Sequence, residues 1–252
     1  MHPPALGDLL ISSLDRIRAA IVLLMLGITG AAGCVEGSGS NSVRLRGKVT
    51  EYVPGSAAEG LPIAEVLVCQ FASNNCALTN DNGDYALLLL MNREVEISYV
   101  KDGFGPVLVA RRSGVDDFAG DAKLATNADL LDFAALLDTP YPPAGTGYLS
   151  MTAYRGPISD GTTIAGVAYS LTGSNGRAYY LDDSGAPDTS LTETQAPGKG
   201  GFVEIAPVTV NLQVSGPVAN CTSKESWGAA ATNTFKLPIR AGFWTQSKLS
   251  CE

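Results

Sequence analysis

An alternation of apolar and polar residues with a period of two predicts short β-strands along much of the chain. Val43 and Leu45 alternate with charged residues, residues 86–91 form an unbroken apolar run, and residues 95–100 alternate again. Turn-forming sequences such as Asp81-Asn82-Gly83 separate these segments. Short strands at this spacing are typical of a β-sandwich.

The same order of segments returns in the second half of the chain. Residues 163–171 parallel 61–69, and residues 200–205 parallel 83–88. Each copy contains an Ile-Ala pair, which begins at Ile63 in the first and at Ile164 in the second. From Ile63 to Tyr85 there are 22 residues, and from Ile164 to Phe202 there are 38, which places a 16-residue insertion in the second copy. We therefore predict an all-β fold of two tandem Greek-key-type β-sandwich domains.

One short α-helix is predicted between the two copies. Thr126-Asn127 supplies an N-cap, Asp129 lies in the first turn, and residues 130–137 provide an apolar face. Proline residues from Pro140 onward end the helix. We expect the helix to connect the two sandwiches and to pack in the groove between them.

Four segments of the first copy resemble a known family, the carboxypeptidase regulatory-like or transthyretin-like domain, which is related in shape to CnaB modules. They are residues 46–49, residues 60–66, residues 79–85 and a strand that ends at Tyr99. The resemblance implies a seven-stranded sandwich in which Gly83 has a positive φ and Tyr85 points inward. It also implies a noncatalytic role as a spacer, interaction module or stabiliser.

The N-terminal segment resembles a bacterial lipoprotein signal. Arg16 and Arg18 precede the apolar run 19–28, and the small residues 31–33 stand directly before Cys34. The resemblance implies cleavage before Cys34 and acylation of that residue, so that the chain is anchored to a membrane by lipid. Two alternatives stay open, a transmembrane anchor and an ordinary cleaved secretion signal.

These patterns give the chain a predicted organisation. Its parts are a lipoprotein signal peptide at 1–33, a flexible tether at 34–42, a first sandwich at 43–113, a connecting helix and Pro-rich linker at 114–145, and a second sandwich at 146–252 with the inserted loop 178–198. The tether is rich in Gly and Ser. Because Val35 is not the aspartate associated with inner-membrane retention of lipoproteins, we expect the outer membrane of the cell envelope as the location.

Composition disfavours several classes of function. The only histidine is His2, inside the predicted leader, so the mature chain has no side chain for a Ser-His-Asp triad or a His-ligated zinc site. The formal net charge of −8 and the absence of a Lys/Arg block disfavour nucleic-acid binding. Paired acids can run glycoside hydrolysis without histidine, but no acidic pair stands out. We expect no enzymatic activity, no cofactor and no metal.

The cysteines outside the leader and tether predict two disulfides. If Cys34 is acylated, four cysteines remain, and they allow three connectivities. Local pairing of Cys69 with Cys76 and of Cys221 with Cys251 fits the predicted domain division best.

Loop 178–198 is the candidate ligand site, because long polar loops often carry function. Its candidate residues are Tyr179, Tyr180, Asp182, Asp183 and Asp188. The carboxylates suggest calcium, the tyrosines together with Trp227 and Trp244 suggest a stacking platform for sugars, and a solvated loop without a ligand is the third interpretation. We expect a noncatalytic structural or protein-interaction role, with an envelope protein or a polysaccharide as partner. The alternative is a carbohydrate-binding surface lipoprotein.

Overall fold

Strands dominate the computed structural model, which describes residues 41–53, 60–228 and 231–252. The strands of the first half are β1 (Ser42–Glu51), β2 (Leu67–Gln70), β3 (Cys76–Leu78), β4 (Asp84–Leu90), β5 (Glu94–Val100), β6 (Val107–Arg112), β7 (Phe118–Ala119) and β8 (Ala122–Leu124). The predicted leader and Cys34 lie outside the described residues.

Helix α1 (Asn127–Leu136) follows β8 and precedes the second half. The strands there are β9 (Gly147–Arg155), β10 (Ala168–Thr172), β11 (Arg177–Leu181), β12 (Pro187–Asp188), β13 (Lys199–Ile205), β14 (Thr209–Ser215), β15 (Cys221–Thr222), β16 (Trp227–Gly228), β17 (Thr234–Pro238) and β18 (Trp244–Cys251). A short 3₁₀ helix, Ile158–Asp160, lies between β9 and β10. The prediction of a predominantly β fold is confirmed.

The strands form three sheets. A four-stranded sheet has the order β4-β1-β7, with β8 also paired to β1, and a second has the order β10-β14-β17-β16. The third sheet contains ten strands in the order β12-β11-β13-β9-β18-β6-β5-β2-β3, with β15 paired to β18. This large sheet contains strands from both halves of the chain, and residues 41–252 form one compact unit.

Each half nevertheless has its own hydrophobic core. One cluster is drawn from residues 43–124 and includes Leu45, Ile97 and Tyr99. A second cluster is drawn from residues 110–251 and includes Leu149 and Leu237. In β4 buried and exposed residues alternate without exception, although residues 86–91 are apolar throughout.

The two halves repeat one hydrogen-bond arrangement around a buried threonine. Thr79 Oγ1 donates to the carbonyl of Ile63 at 2.7 Å and accepts the Val66 N–H at 2.9 Å. In the second half, Thr194 Oγ1 donates to the carbonyl of Ile164 at 2.8 Å and accepts the Val167 N–H at 3.0 Å. Both threonines are buried. The internal similarity read from the two Ile-Ala pairs therefore has a structural counterpart.

A glycine at equivalent positions completes the repeat. Gly83 (φ +77°) accepts the Val49 N–H, and Gly198 (φ +64°) accepts the Ala153 N–H, each at 2.9 Å. The positive φ implied for Gly83 is confirmed. The parallel of residues 200–205 with 83–88 is therefore wrong by two residues. Tyr85 and Phe202, on which that parallel depends, are not equivalent, because the repeated turn requires a glycine with a left-handed backbone.

Replacing either threonine by valine is expected to lower the free energy of unfolding by about 1–3 kcal/mol, because a buried N–H and a buried carbonyl lose their partner. Thr79→Val and Thr194→Val are compared by urea denaturation with Thr79→Ser and Thr194→Ser, which keep the hydroxyl group. We expect the serine variants to lose about 1 kcal/mol, close to the cost of one buried methyl group. Equal losses in the valine and serine variants would contradict the assigned hydrogen bonds.

Helix α1 begins as predicted. Thr126 is its N-cap, and the Thr126 hydroxyl accepts the Asp129 N–H at 3.1 Å. Leu130 and Ala134 are its buried residues. Leu130 and Leu137 belong to a third cluster that includes Tyr148, Tyr179 and Trp244, and Phe133 packs against it. In the part of the chain that the structure describes, no helix has both the length and the apolar character needed to cross a membrane.

Candidate functional site

Residues 178–198 begin in a strand and continue in turns at one edge of the ten-stranded sheet. Residues 178–181 belong to β11. One edge of β11 pairs with β13, and the other edge pairs with β12. The first four residues of the predicted loop are therefore part of the sheet, and the remainder forms a connection from β11 through β12 to β13.

Tyr179 and Tyr180 are both buried, with 2% of each side chain exposed. The Tyr179 hydroxyl donates to the carbonyl of Leu149 at 3.3 Å, and its ring packs edge-on against Phe133. The Tyr180 hydroxyl accepts the Tyr169 N–H at 2.8 Å, and the two rings stack 5.8 Å apart. Burial raises the pKa of both tyrosines. Neither ring offers solvent a face on which a sugar could stack.

The two tryptophans are also used inside the protein. Trp244 is 9% exposed and packs edge-on against Phe133 and Tyr148, with both ring centroids 5.2 Å from its own. The indole N–H of Trp227 donates to the carbonyl of Val95 at 3.3 Å. This arrangement differs from the exposed platform suggested by the sequence, because strand β11 turns its tyrosines toward α1 and toward β10.

The carboxylates of the segment bind backbone groups of their own turns. Asp182 Oδ1 accepts hydrogen bonds from the N–H and the hydroxyl of Ser184 and from the Ala186 N–H, at 2.6–2.9 Å. Asp188 Oδ1 accepts the Ser190 N–H at 2.6 Å. The pKa of Asp182 and the pKa of Asp188 both lie below the usual range. The main cause is a hydrogen bond from the side chain of Ser184 to Asp182 and from that of Ser190 to Asp188.

The third predicted carboxylate, Asp183, accepts the Ala196 N–H at 3.2 Å. Within the described ranges, no three His, Cys, Asp or Glu side chains are grouped so that they could hold a metal ion. The carboxylates of the segment therefore serve as turn-forming groups here, and calcium binding by them stays a prediction from the sequence.

A buried group of charged side chains lies where the two halves meet. Arg111, at the end of β6, forms an ion pair with Glu225 at 3.2 Å, and the two side chains are 6% and 8% exposed. Lys248 on β18 approaches the same Glu225 oxygen at 3.6 Å. A buried carboxylate flanked by two cations thus joins β6, the segment before β16, and β18.

Four further contacts cross the same junction. Glu96 on β5 pairs with Arg240, whose guanidinium lies over the ring of Phe71. Phe71 packs edge-on against Phe243, with a centroid distance of 5.5 Å. β18 runs parallel to β6 through the pairs Trp244–Val107 and Thr245–Leu108. The halves are therefore held by backbone hydrogen bonds, aromatic contacts and ion pairs together.

A buried tyrosine pair lies in the first core. The hydroxyl groups of Tyr85 and Tyr99 are 2.8 Å apart, and Tyr85 donates to the carbonyl of Gly120 at 2.5 Å. Burial raises the pKa of Tyr99 to about 12 and raises that of Tyr85 further. Tyr85 points inward, as the family resemblance implies, and its hydroxyl helps to hold the β7–β8 segment against the core.

Both predicted disulfides are present. Cys69 and Cys76 face each other across β2 and β3, and Cys221 and Cys251 face each other across β15 and β18. The favoured local connectivity is confirmed. Since β18 lies inside the large sheet, the second disulfide ties the segment before β16 to the strand that joins the two halves.

The sequence did not reveal the junction. Arg111 and Glu225 are 114 residues apart, and nothing in their neighbourhoods separates them from exposed charges. One feature of the sequence was a signal for burial of the tyrosines. Residues 177–181 favour a β-strand, and the strand that pairs with them contains two successive glycines, Gly200 and Gly201. A Cβ at Gly200 would lie 2.5 Å from the Tyr180 ring, so the missing side chain makes room for that ring.

Comparison with known proteins identifies no family. No protein-family model matches the chain, and no curated protein matches it. Solved structures with some likeness include the minor pilin GBS52 of Streptococcus agalactiae, which is 14% identical over 82% of this chain and 94% of that chain, with a TM-score of 0.27. The shaft pilin SpaA of Lactobacillus rhamnosus GG is 10% identical over 84% and 97% of the two chains, with a TM-score of 0.22.

A third structure is the TIE protein of Bacillus anthracis, which is 12% identical over 84% of this chain, with a TM-score of 0.25. This chain covers 34% of the TIE protein, about a third of its length. With TM-scores below 0.5, none of these likenesses carries an argument about function.

Proposed function

We propose that the chain is a lipid-anchored, exported protein of the cell envelope with a noncatalytic structural or protein-interaction role. The observation that carries the structural part is the ten-stranded sheet that runs through both halves of the chain. A joint made only of a flexible linker would let two sandwiches move independently. Here, independent motion would break the β6–β18 pairing and would separate Arg111 from Glu225.

The candidate ligand residues support the same assignment. The tyrosines of β11 fill the core and the carboxylates close turns, so the segment 178–198 contributes to stability. We infer a stiff module that holds its outer surfaces at fixed positions for a neighbouring envelope protein.

The lipid anchor and the outer-membrane location rest on the sequence. The basic residues, the apolar run and the small residues before Cys34 follow the order of a lipoprotein signal. The two disulfides support an oxidising compartment, because such bonds persist in exported proteins and are rare in the cytosol.

Replacing Cys34 by serine is expected to move the protein from the membrane fraction to the soluble envelope fraction, because the acyl chains have lost their attachment site. The measurement is fractionation of bacteria that express the full chain, with mass spectrometry of the N-terminal peptide. Cys76→Ala together with Cys69→Ala is the matched control, since it also removes cysteine and should leave the protein in the membrane fraction. A wild-type chain that retains Met1 or has no acyl group would refute the anchor.

The interaction role is tested by chemical cross-linking of the native protein in intact envelopes. We expect discrete adducts with envelope proteins, identified by mass spectrometry after affinity purification. Saturable binding to a purified envelope polysaccharide, without protein adducts, would favour a carbohydrate-binding function over the proposed one.

A further inference from the structure

One end of the first sandwich brings together the start of the described chain and two connecting turns. Ser42, at the start of β1, pairs with Leu90 at the end of β4. The Asn92 N–H donates to the carbonyl of Gly114 at 3.1 Å, and the Ser113 hydroxyl donates to the carbonyl of Leu90 at 2.6 Å. We call this end, formed by Ser42, residues 88–93 and residues 112–115, the N-terminal pole.

The N-terminal pole exposes large apolar side chains. Leu88 is 54% exposed, Leu90 is 62% exposed and Val115 is 59% exposed. Leu88 and Leu90 stand on the outer face of β4, because the alternate residues Leu87 and Leu89 fill the core. Clustered apolar exposure of this kind marks a surface that meets a partner or a membrane.

Three arginines lie at the same end of the first sandwich as these apolar residues. Arg44 lies directly opposite Leu88 across the β1–β4 ladder, and Arg93 and Arg112 flank the two turns, all three exposed. The acidic groups nearby are Glu94, Asp116 and Asp117. Glu94 lies opposite Arg112 in the β5–β6 ladder, and Asp117 lies 3.7 Å from Arg46. Basic groups therefore at least balance acidic ones here, although the whole chain has a net charge of −8.

The predicted anchor attaches at the same end. Asn41, the residue before β1, follows Cys34 by seven positions. Seven residues span at most about 25 Å when fully extended and about 15 Å as a flexible Gly/Ser-rich chain. If Cys34 is acylated, the N-terminal pole is confined to the vicinity of the bilayer by chain length alone.

We propose that the N-terminal pole rests on the membrane surface, with Leu88, Leu90 and Val115 at the boundary between headgroups and acyl chains. Arg44, Arg93 and Arg112 then contact lipid phosphate groups. The inference rests on the lipid anchor of the proposed function. A bilayer is the occupant favoured over a protein because the tether holds this surface near lipid, and because exposed apolar residues together with arginines at one end suit an interface of apolar and anionic groups.

The test compares two exposed leucines at opposite ends of β1. Leu90→Cys places a label on the N-terminal pole, and Leu136→Cys places one on α1, where the leucine is 65% exposed and follows β8 at the other end of β1. In the acylated chain the remaining cysteines are blocked by lipid or disulfides, so an environment-sensitive thiol dye labels only the new residue. The labelled, acylated full chains are reconstituted in vesicles of phosphatidylethanolamine and phosphatidylglycerol that contain nitroxide-bearing acyl chains.

We expect the dye at position 90 to be quenched several times more strongly than the dye at position 136. Val115→Cys serves as a second probe if Leu90→Cys fails to fold, and its dye should be quenched as at position 90. Equal or negligible quenching at both ends, in a chain whose mass shows acylation, would overturn this inference and leave the anchor standing. A chain without acyl groups would overturn both proposals.

Discussion

Replacing Glu225 by glutamine is expected to lower the free energy of unfolding by about 3–5 kcal/mol, the usual cost of removing one member of a buried ion pair. Glu225 is the only carboxylate that faces both Arg111 and Lys248 among the ion pairs of the described residues. Glutamine keeps the shape of the side chain but leaves the Arg111 guanidinium buried without a counter-charge. Urea denaturation at neutral pH measures the difference.

Glu65→Gln is the matched control. Glu65 pairs with Lys101 at 3.1 Å, but its side chain is 80% exposed, so the same change should cost at most about 1 kcal/mol. The combined replacement Arg111→Met with Glu225→Leu should recover most of the lost stability, since an apolar pair can replace a buried ion pair. Similar losses in Glu225→Gln and Glu65→Gln would show that the junction pair contributes no more than a surface contact.

Removing the disulfide between Cys221 and Cys251 by alanine replacement of both residues is expected to cost about 3.6 kcal/mol. The bond closes a loop of 30 residues, and the chain entropy released in the unfolded state sets this value. The bond between Cys69 and Cys76 closes a loop of only 7 residues, so its removal should cost about 2.4 kcal/mol. Guanidinium denaturation of the two double variants and the wild type measures both losses.

Reduction provides the internal control for the disulfide variants. Under a strong reductant, the wild type should be less stable than either double variant measured without reductant, because the reduced wild type lacks both bonds. A Cys221–Cys251 variant as stable as the wild type would contradict this prediction. It would mean that hydrogen bonds alone hold β15 against the end of β18, and that residues 221–251 are already ordered in the unfolded chain.

Local features of this fold could be predicted from the sequence. The Thr126 cap and the Cys69–Cys76 disulfide each depend on residues within about one element or one hairpin. For such features, side-chain chemistry and spacing contain the needed information. The Cys221–Cys251 disulfide spans 30 residues, and its prediction came from the proposed domain division. The two Ile-Ala pairs indicated the internal repeat, but not the threonine arrangement within it.

Long-range features could not be predicted in the same way. Period-two alternation shows which side of a strand is buried, but it does not identify the neighbouring strand. The parallel neighbours of β18, which are β6 and β9, lie far earlier in the chain. For the same reason Glu225 resembles an exposed charge in the sequence. Tyr179 and Tyr180 resemble part of a loop there, although they pack against α1 and β10 in the structure.

The central position of β18 has a consequence for how the protein is made. Strand β18 pairs with β6 on one side and with β9 on the other, and it follows every other strand of the sheet in the chain. Until residues 244–251 have emerged, β6 and β9 both present bare edges that can pair with other molecules. Export of an unfolded chain followed by folding in one step on the far side would avoid that hazard, and a chain truncated before Trp244 should aggregate.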